Sequence, residues 1–464
     1  MKAAPIYIQK LEVENIKTFT RATTLDFTRP EGGIAQWTLL LGDNGIGKST
    51  LLQFVAWMKP ALPYDIADPS KYLVPAPLIN DEENEVLERL VHRTVEGGQT
   101  AKARAIFIAN QHFNEITDEP LIECTTEMAI GVNGAGKLAD VAPGFSTTEK
   151  SIFYRDEVAV YAYSASRQLG RLNLNNPKLV DTIPGFIQEK TELYDAEEIL
   201  HALNYAELGA KGVKKAKYQN FINRIKSMLT AILPDCEQIE DILITPPNPL
   251  DGREGGIAIS TKHGQEIPFN DFSLGYKTVA SWTIDLAWRL FSKHHAEVDN
   301  PLEEPGIVLI DEIDLHLHPL WQRHIMTNLS KHFPNVQFIA SAHSPIMAQA
   351  AIGLNYAVLK SSDDGVQILN EPEGITGWRV DQILTSELFG LTSARGEDYD
   401  ELLERQEKLL RKKKLTPKEK EELTNITQEL KRLPTAEKVE VSDNRQLIDE
   451  FVQELKDSKF KINL

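Results

Sequence analysis

The sequence predicts an α/β fold, and three runs of residues carry that expectation. Trp37-Thr38-Leu39-Leu40-Leu41 leads into Gly42-Asp43-Asn44-Gly45-Ile46-Gly47-Lys48-Ser49, a complete G-x-x-x-x-G-K-[ST] loop between an apolar strand and a helix. The apolar face of that helix continues through Leu51, Leu52, Val55 and Ala56. Ile307-Val308-Leu309-Ile310 ends in Asp311-Glu312, and Val336-Gln337-Phe338-Ile339-Ala340 ends in Ser341-Ala342-His343-Ser344-Pro345. Short apolar runs of this kind are buried parallel strands, and their C-terminal edge is where open α/β sheets hold their chemistry.

In chain order, residues 6–13 and 23–27 read as a lead-in hairpin around the turn-prone Asn15-Ile16-Lys17-Thr18. After the first helix, the Pro-rich stretch from Pro60 to Pro77 ends the regular pattern. Alternating segments at 103–108 and 121–124 then predict an antiparallel layer inserted in the nucleotide fold. Residues 158–163 form a further buried-type strand running into Ser164-Ala165-Ser166-Arg167-Gln168, and about 193–233 is helical in pattern without sustained heptads. The turn cluster from Pro246 to Gly252 precedes a hairpin of 257–260 and 266–269 around Lys262-His263-Gly264. Beyond Trp378 the chain is rich in Leu, Glu and Lys, with helices expected on either side of Leu415-Thr416-Pro417 and a short final one near 447–455. The expected organisation is a head over 1–370, with its β layer at about 60–160 and a helical insert at about 190–240, and a helical appendage over 371–464.

A chain of 464 residues can bury its core without staples, and its two cysteines, Cys124 and Cys236, belong to no C-x-x-C or Cys/His cluster. Neither a disulfide framework nor a zinc site is supported, which fits a reducing cytosol. Met1 to Pro5 leads into an alternating strand instead of an apolar signal, and no stretch approaches the ~20 apolar residues of a membrane span. A soluble cytoplasmic protein without a membrane partner is expected. A net charge of −18 argues against a generally sticky nucleic-acid binder, so any DNA contact is local or supplied by a partner.

The loop glycines turn backbone N–H groups inward around phosphates, with Asn44, Gly45, Gly47 and Thr50 completing the binding loop. Lys48 would reach the β and γ oxygens and Ser49 would place its hydroxyl on Mg²⁺, so ATP and Mg²⁺ are the expected ligands. Asp311 would hold the metal through water, and Glu312 is placed to accept a proton from the water attacking the γ-phosphate. His343, at the corresponding edge of another strand, would hydrogen-bond the γ-phosphate and report its loss.

Together with Phe272-Ser273-Leu274-Gly275-Tyr276-Lys277 and Asp314, these motifs resemble the ABC-type ATPase heads of the SMC and OLD groups over most of residues 6 to 360. The resemblance implies an ABC-type P-loop head that hydrolyses ATP slowly. In such heads the Ser-x-Gly signature of one subunit closes over the γ-phosphate held by another, so two ATPs are sandwiched in a head-to-tail dimer. It implies that Ser273 and Gly275 act in trans, that Asp314 is the D-loop residue and that His343 is the switch histidine. The signature departs from Leu-Ser-Gly-Gly-Gln, with Phe272 for Leu, Leu274 for the first Gly and Tyr276 for Gln, which leaves the turnover rate open. Gln168 stands where these heads carry a glutamine loop, and Arg167 is a candidate phosphate contact. A plain strand-to-helix turn reads the same residues equally well.

Long SMC arms are lacking, so the chain cannot tether distant DNA segments. After His343 the acidic pair of interest is Asp363-Asp364, in a polar turn before Gly365, with helix expected beyond, so no nuclease is expected in this chain. A short head with a helical tail resembles the PtuA ATPases of Septu-type anti-phage systems, also found with retrons, and the stretch from Gly377 to Leu391 looks similar to the corresponding region there. That resemblance implies a sensor and scaffold, a homodimer or higher oligomer, whose nucleotide state controls a PtuB-like HNH nuclease partner cutting DNA in trans. The alternative is a stand-alone SMC-like DNA-binding clamp in repair or recombination. A non-hydrolysing nucleotide switch is a third reading, against which the intact Glu312 speaks. The basic run from Lys408 to Lys420, with Arg411-Lys412-Lys413-Lys414, reads either as a contact for DNA or an acidic partner or as a solvated helix end beside Glu401, Glu404, Glu419, Glu421 and Glu422. Leu402, Leu403, Leu409 and Leu410 read as a docking stripe or as ordinary packing.

Overall fold

The computed structural model describes residues 5–29, 31–61, 74–75, 100–109, 113, 122–133, 138–147, 158–175, 179–233, 236–245, 255–260, 264–294, 298–351, 354–370, 378–386, 388–391, 397–412 and 415–431. The Pro246 to Gly252 turn, Lys262-His263, most of the Pro60 to Pro77 stretch, Leu121, Gly377, Glu387, Lys413-Lys414 and the helix expected near 447–455 lie outside the described residues.

The expected fold class holds, with the phosphate-loop strand at the centre. A six-stranded sheet runs in the order Gly365–Asn370, Asn355–Ser362, Trp37–Leu41, Val336–Ser341, Gly306–Ile310 and Val160–Tyr163. All neighbours pair in parallel except Gly365–Asn370, which closes one edge as an antiparallel hairpin. Every residue of Trp37–Leu41, Gly306–Ile310 and Val336–Ser341 is buried, which is why these strands read as unbroken apolar runs instead of alternating ones. Register sets Tyr163 opposite Ile310, Ile310 opposite Ala340 and Ser341 opposite Leu40, so the loops that follow leave the sheet at one level.

A second sheet, in the order Thr23–Asp26, Ile6–Glu14, Thr100–Ala109, Ile122–Val132 and Leu138–Thr147, is antiparallel throughout. The antiparallel layer is therefore present, but the N-terminal hairpin belongs to it and does not extend the phosphate-loop strand. A bulge between Ile8 and Lys10 interrupts pairing with Thr100–Ala109. The Gln337 side chain joins the two sheets there, accepting from Ile8 N at 2.9 Å and donating to Ile8 O at 2.9 Å.

Three segments differ from the pattern reading. Thr191–Tyr194 is a strand paired with Arg167–Leu172, and Asp195 then caps the first insert helix by accepting from Glu198 N at 2.9 Å. The helical pattern resolves into Ala196–Gly209 and Val213–Ile232, broken where Gly212 takes φ 59. Ile242–Thr245 adds a third strand to the Gly256–Ser260 and Glu266–Pro268 hairpin. Asp363-Asp364 forms the expected polar turn, but it is followed by the edge strand Gly365–Asn370 where helix was expected.

The chain divides into compact units of 1–383 and 384–464. Within the second, the helices Glu397–Leu410 and Pro417–Lys431 are linked by Arg405 to Glu422 at 2.7 Å and by Gln406 to Thr427 at 3.0 Å. Among the described residues of its basic run, Lys408 pairs with Glu404, Arg411 with Glu407 and Lys412 with Glu419, as in a solvated helix end. Leu409 is buried, Leu402 and Leu403 are half-buried and Leu410 is exposed.

Candidate nucleotide site

The loop from Gly42 to Gly47 takes the backbone geometry that its glycines permit. Gly42, Gly45 and Gly47 have φ of 141, 73 and 116, and a Cβ on Gly47 would lie 2.8 Å from the Phe19 ring. Asp43, Asn44 and Gly45 are exposed, while Lys48 and Thr50 at the start of helix Lys48–Trp57 are buried. No side chain caps that helix, so its first N–H groups are left for an anion. Lys48 Nζ donates to Gly42 O at 2.6 Å and Asp43 O at 2.8 Å, lying across the cradle a phosphate would fill. It also lies 3.4 Å from His343 Nδ1. An ammonium only donates, so Nδ1 accepts and the imidazole proton sits on Nε2.

Asp311 and Glu312 leave the neighbouring strand through a strained turn. Glu312 has φ 48, in the left-handed region that a side chain disfavours, and three contacts hold it there. Ser341 Oγ donates to Asp311 Oδ1 at 2.5 Å and accepts from Glu312 N at 2.8 Å. Arg167 Nη2 donates to Asp311 O at 2.5 Å. Asp314 Oδ2 then accepts from His343 N at 2.9 Å and Ser344 N at 2.7 Å, fixing the turn that carries the imidazole. Ser344 caps helix Pro345–Ala350 through Ile346 N and donates to Gln322 Oε1 at 2.5 Å.

Charge follows geometry. Burial pulls Lys48 down to about 8 against the opposing pull of Asp311, Asp43, Asp314 and Glu312. Burial, then Lys48, lowers His343 below the usual imidazole value. Arg167 is brought down to about 10 by burial, opposed chiefly by Asp311 and Glu312. These basic and acidic groups sense one another across three strand ends, although Lys48 and His343 are 295 residues apart in sequence. Asp311 Oδ2 and the Ser49 hydroxyl make no hydrogen bond among the described residues. Hard oxygen donors of this kind fit Mg²⁺, which takes few protein ligands and completes its shell from phosphate and water. Accordingly, among the described residues no group of three or more His, Cys, Asp or Glu forms a metal cage.

Among the described residues no hydrogen bond joins Ser273, Gly275 or Gln168 to this cluster. Ser273 is exposed before helix Leu274–His294, and Gly275 is buried against the Asp314 turn, where a Cβ would come within 2.2 Å of His316 O. Gln168 lies on strand Arg167–Leu172, so the turn after Tyr163 leads into a strand and not a helix, and Arg167 contacts the carboxylate backbone. Ser341 and the buried Asp285 escaped the sequence reading. Asp285, on the Ser273 helix, accepts from Tyr163 OH at 2.9 Å, Arg289 Nε at 2.6 Å and Tyr194 N at 3.0 Å. Ser341 had a visible signal, a hydroxyl closing a buried strand one position before Ala342-His343. Asp285 had none, lying in a 21-residue helix.

Residues 142–347 match the family described as "AAA domain, putative AbiEii toxin, Type IV TA system", and residues 10–126 match a second described as "AAA domain". Septu protein PtuA of Bacillus mycoides is 26% identical over 434 residues, 91% of this chain and 50% of that protein. The chain is thus similar to a Septu PtuA protein over most of its own length. A stretch of 109 residues is 41% identical to the Retron Vc95 probable ATPase of Vibrio cholerae, covering 24% of this chain and 21% of that one. A Smc head domain with an extended coiled coil from Pyrococcus furiosus is similar at a TM-score of 0.41 and 15% identity, over 79% of this chain and 96% of that one. The chain spans half or less of the length of these two curated relatives. Among the described residues no helix is long and apolar enough to cross a membrane.

Proposed function

We propose that this chain binds and hydrolyses ATP as the regulatory subunit of an anti-phage defence complex, controlling an HNH nuclease supplied by a second protein. One observation carries the reading: Lys48, Asp311-Glu312 and His343 converge at one edge of the core sheet in a chain similar to PtuA over 91% of its length.

In this reading the loop N–H groups and Lys48 bind the β and γ phosphates, and Ser49 and Asp311 hold Mg²⁺. The metal supplies charge neutralisation across the phosphates. Phosphate entry draws Lys48 off the Gly42 and Asp43 carbonyls. Glu312, fixed by Ser341 and Arg167, takes the proton of the attacking water, and His343 Nε2–H donates to the γ-phosphate. Exposed Ser273 serves the site of a second copy in an ATP-sandwich dimer, while Asp314 steadies the His343 turn within its own chain. Gln168 is retained as a nucleotide contact only for the closed dimer.

The test is to express tagged Glu312→Gln protein in the native host and purify it with Mg²⁺ and ATP. A trapped dimer carrying an HNH nuclease is the expected result. Normal steady-state turnover would remove Glu312 as the base, and nucleic acid without nuclease would favour the stand-alone clamp.

A further inference from the structure

We infer that the tip of the helical hairpin, residues 205–217, is a contact site for single-stranded nucleic acid, gripping the phosphate backbone with lysines and a base with Tyr205. The tip stands clear of the protein. In helix Val213–Ile232 the buried side chains begin only at Phe221, and in helix Ala196–Gly209 they end at Leu203. Packing starts one turn earlier with Tyr218, whose ring lies 6.1 Å from that of Phe291, and at 1.5 Å per residue the five residues before it carry the tip about 7 Å beyond the packed part of that helix. Packing gains nothing from this length, and large side chains there face water: Tyr205 is 81% exposed, Leu208 63% and Val213 86%.

The tip also opposes the charge of the rest of the chain. Lys211, Lys214, Lys215 and Lys217 fall within seven residues of a protein with net charge −18. Lys215 reaches Glu207 at 3.4 Å, which sets the ends of the two helices side by side. Lys211, Lys214 and Lys217 make no hydrogen bond or ion pair among the described residues. Helix Val213–Ile232 has no acid in its first turn, where acids are favoured, and carries lysines instead. This crowding of positive charge is unfavourable in the isolated protein and is relieved by an anion. A protein partner would have to gather several carboxylates on one small patch, whereas a strand offers a phosphate at every nucleotide. Tyr205 adds the exposed aromatic face on which unpaired bases stack, a contact that duplex DNA withholds.

The test is fluorescence anisotropy of a labelled oligothymidylate, with the matched duplex as a second probe, on the full chain without ATP. Three or four phosphate contacts predict that raising salt from 50 to 200 mM weakens binding about 20- to 50-fold for a single strand. Lys214→Glu/Lys217→Glu is expected to lose at least tenfold affinity and flatten that salt dependence, and Tyr205→Ala about fivefold or more. All three positions are outside the core, and an unchanged melting temperature verifies folding. Single-strand affinity unaffected by these variants would overturn the proposal. So would a preference for the duplex, or capture of an acidic protein by a tip that binds no oligonucleotide. Because nucleotide is omitted, the result is independent of the ATPase reading.

Discussion

Replacing Ser341 with alanine tests whether the left-handed turn at Glu312 is a working part of the site. The hydroxyl donates to Asp311 Oδ1 and accepts from Glu312 N, and Ser341 is fully buried. Losing a hydrogen bond to a charged carboxylate costs about 1.5–3 kcal/mol, and leaving the Glu312 N–H unmatched adds about 1–3 kcal/mol. The strain held at Glu312 is itself about 1–3 kcal/mol, so the deletion removes as much support as the turn needs. If half of the combined loss reaches the transition state, kcat falls about 10- to 100-fold. The phosphate loop belongs to a different strand, so affinity for a slowly hydrolysed ATP analogue should stay within about threefold. Steady-state hydrolysis and analogue titration, run in parallel, separate the two. Ser341→Thr keeps the oxygen and should recover most of the rate. Wild-type turnover in Ser341→Ala, or equal loss of analogue binding and turnover in both variants, would refute the reasoning.

Three further outcomes are expected. Lys48 titrates near 8 in the free protein, and a bound phosphate raises that value, so nucleotide binding above pH 8 takes up a proton and weakens as pH rises. Calorimetry at pH 8.5 in two buffers of different ionisation enthalpy measures the uptake; identical heats would contradict it. Gly275→Ala drives a Cβ into His316 O and should cost about 1–3 kcal/mol of stability, read as a lower urea midpoint, while an unchanged midpoint would mean the Asp314 turn yields freely. Arg289→Met leaves Asp285 with Tyr163 and Tyr194 but no counter-charge and should destabilise by about 3–5 kcal/mol. A retained midpoint would show those two neutral donors to be sufficient.

The parts of the site legible in the sequence are those whose physics is local. A phosphate loop needs its glycines and lysine in one run, and a fully buried strand announces itself as four or five apolar residues ending in polar ones. What the sequence withheld depends on partners far along the chain. Nothing near Gln337 indicates that its amide fills a bulge at Ile8, a contact spanning 329 residues. Leu193-Tyr194 reads as the start of a helix until the pairing of Thr191–Tyr194 with Arg167–Leu172 and the Asp195 cap are known. The strand Asn355–Ser362 and the edge strand Gly365–Asn370 are not legible because the first is mixed in polarity and the second pairs antiparallel, so neither shows a buried parallel run. Arg167, a candidate phosphate contact, has a guanidinium that donates to the Asp311 carbonyl, a partner 144 residues along the chain that no local pattern could indicate.

The central position of Trp37–Leu41 has a consequence for how the protein is made. Its two sheet neighbours, Val336–Ser341 and Asn355–Ser362, leave the ribosome some three hundred residues after it. Until then a fully buried strand of the core has both edges bare, a state that invites mispairing. Loop closure over such distances is slow. A nascent chain that stops before Val336 therefore lacks both flanks of its phosphate-loop strand, and one that stops before Asn355 still lacks one of them.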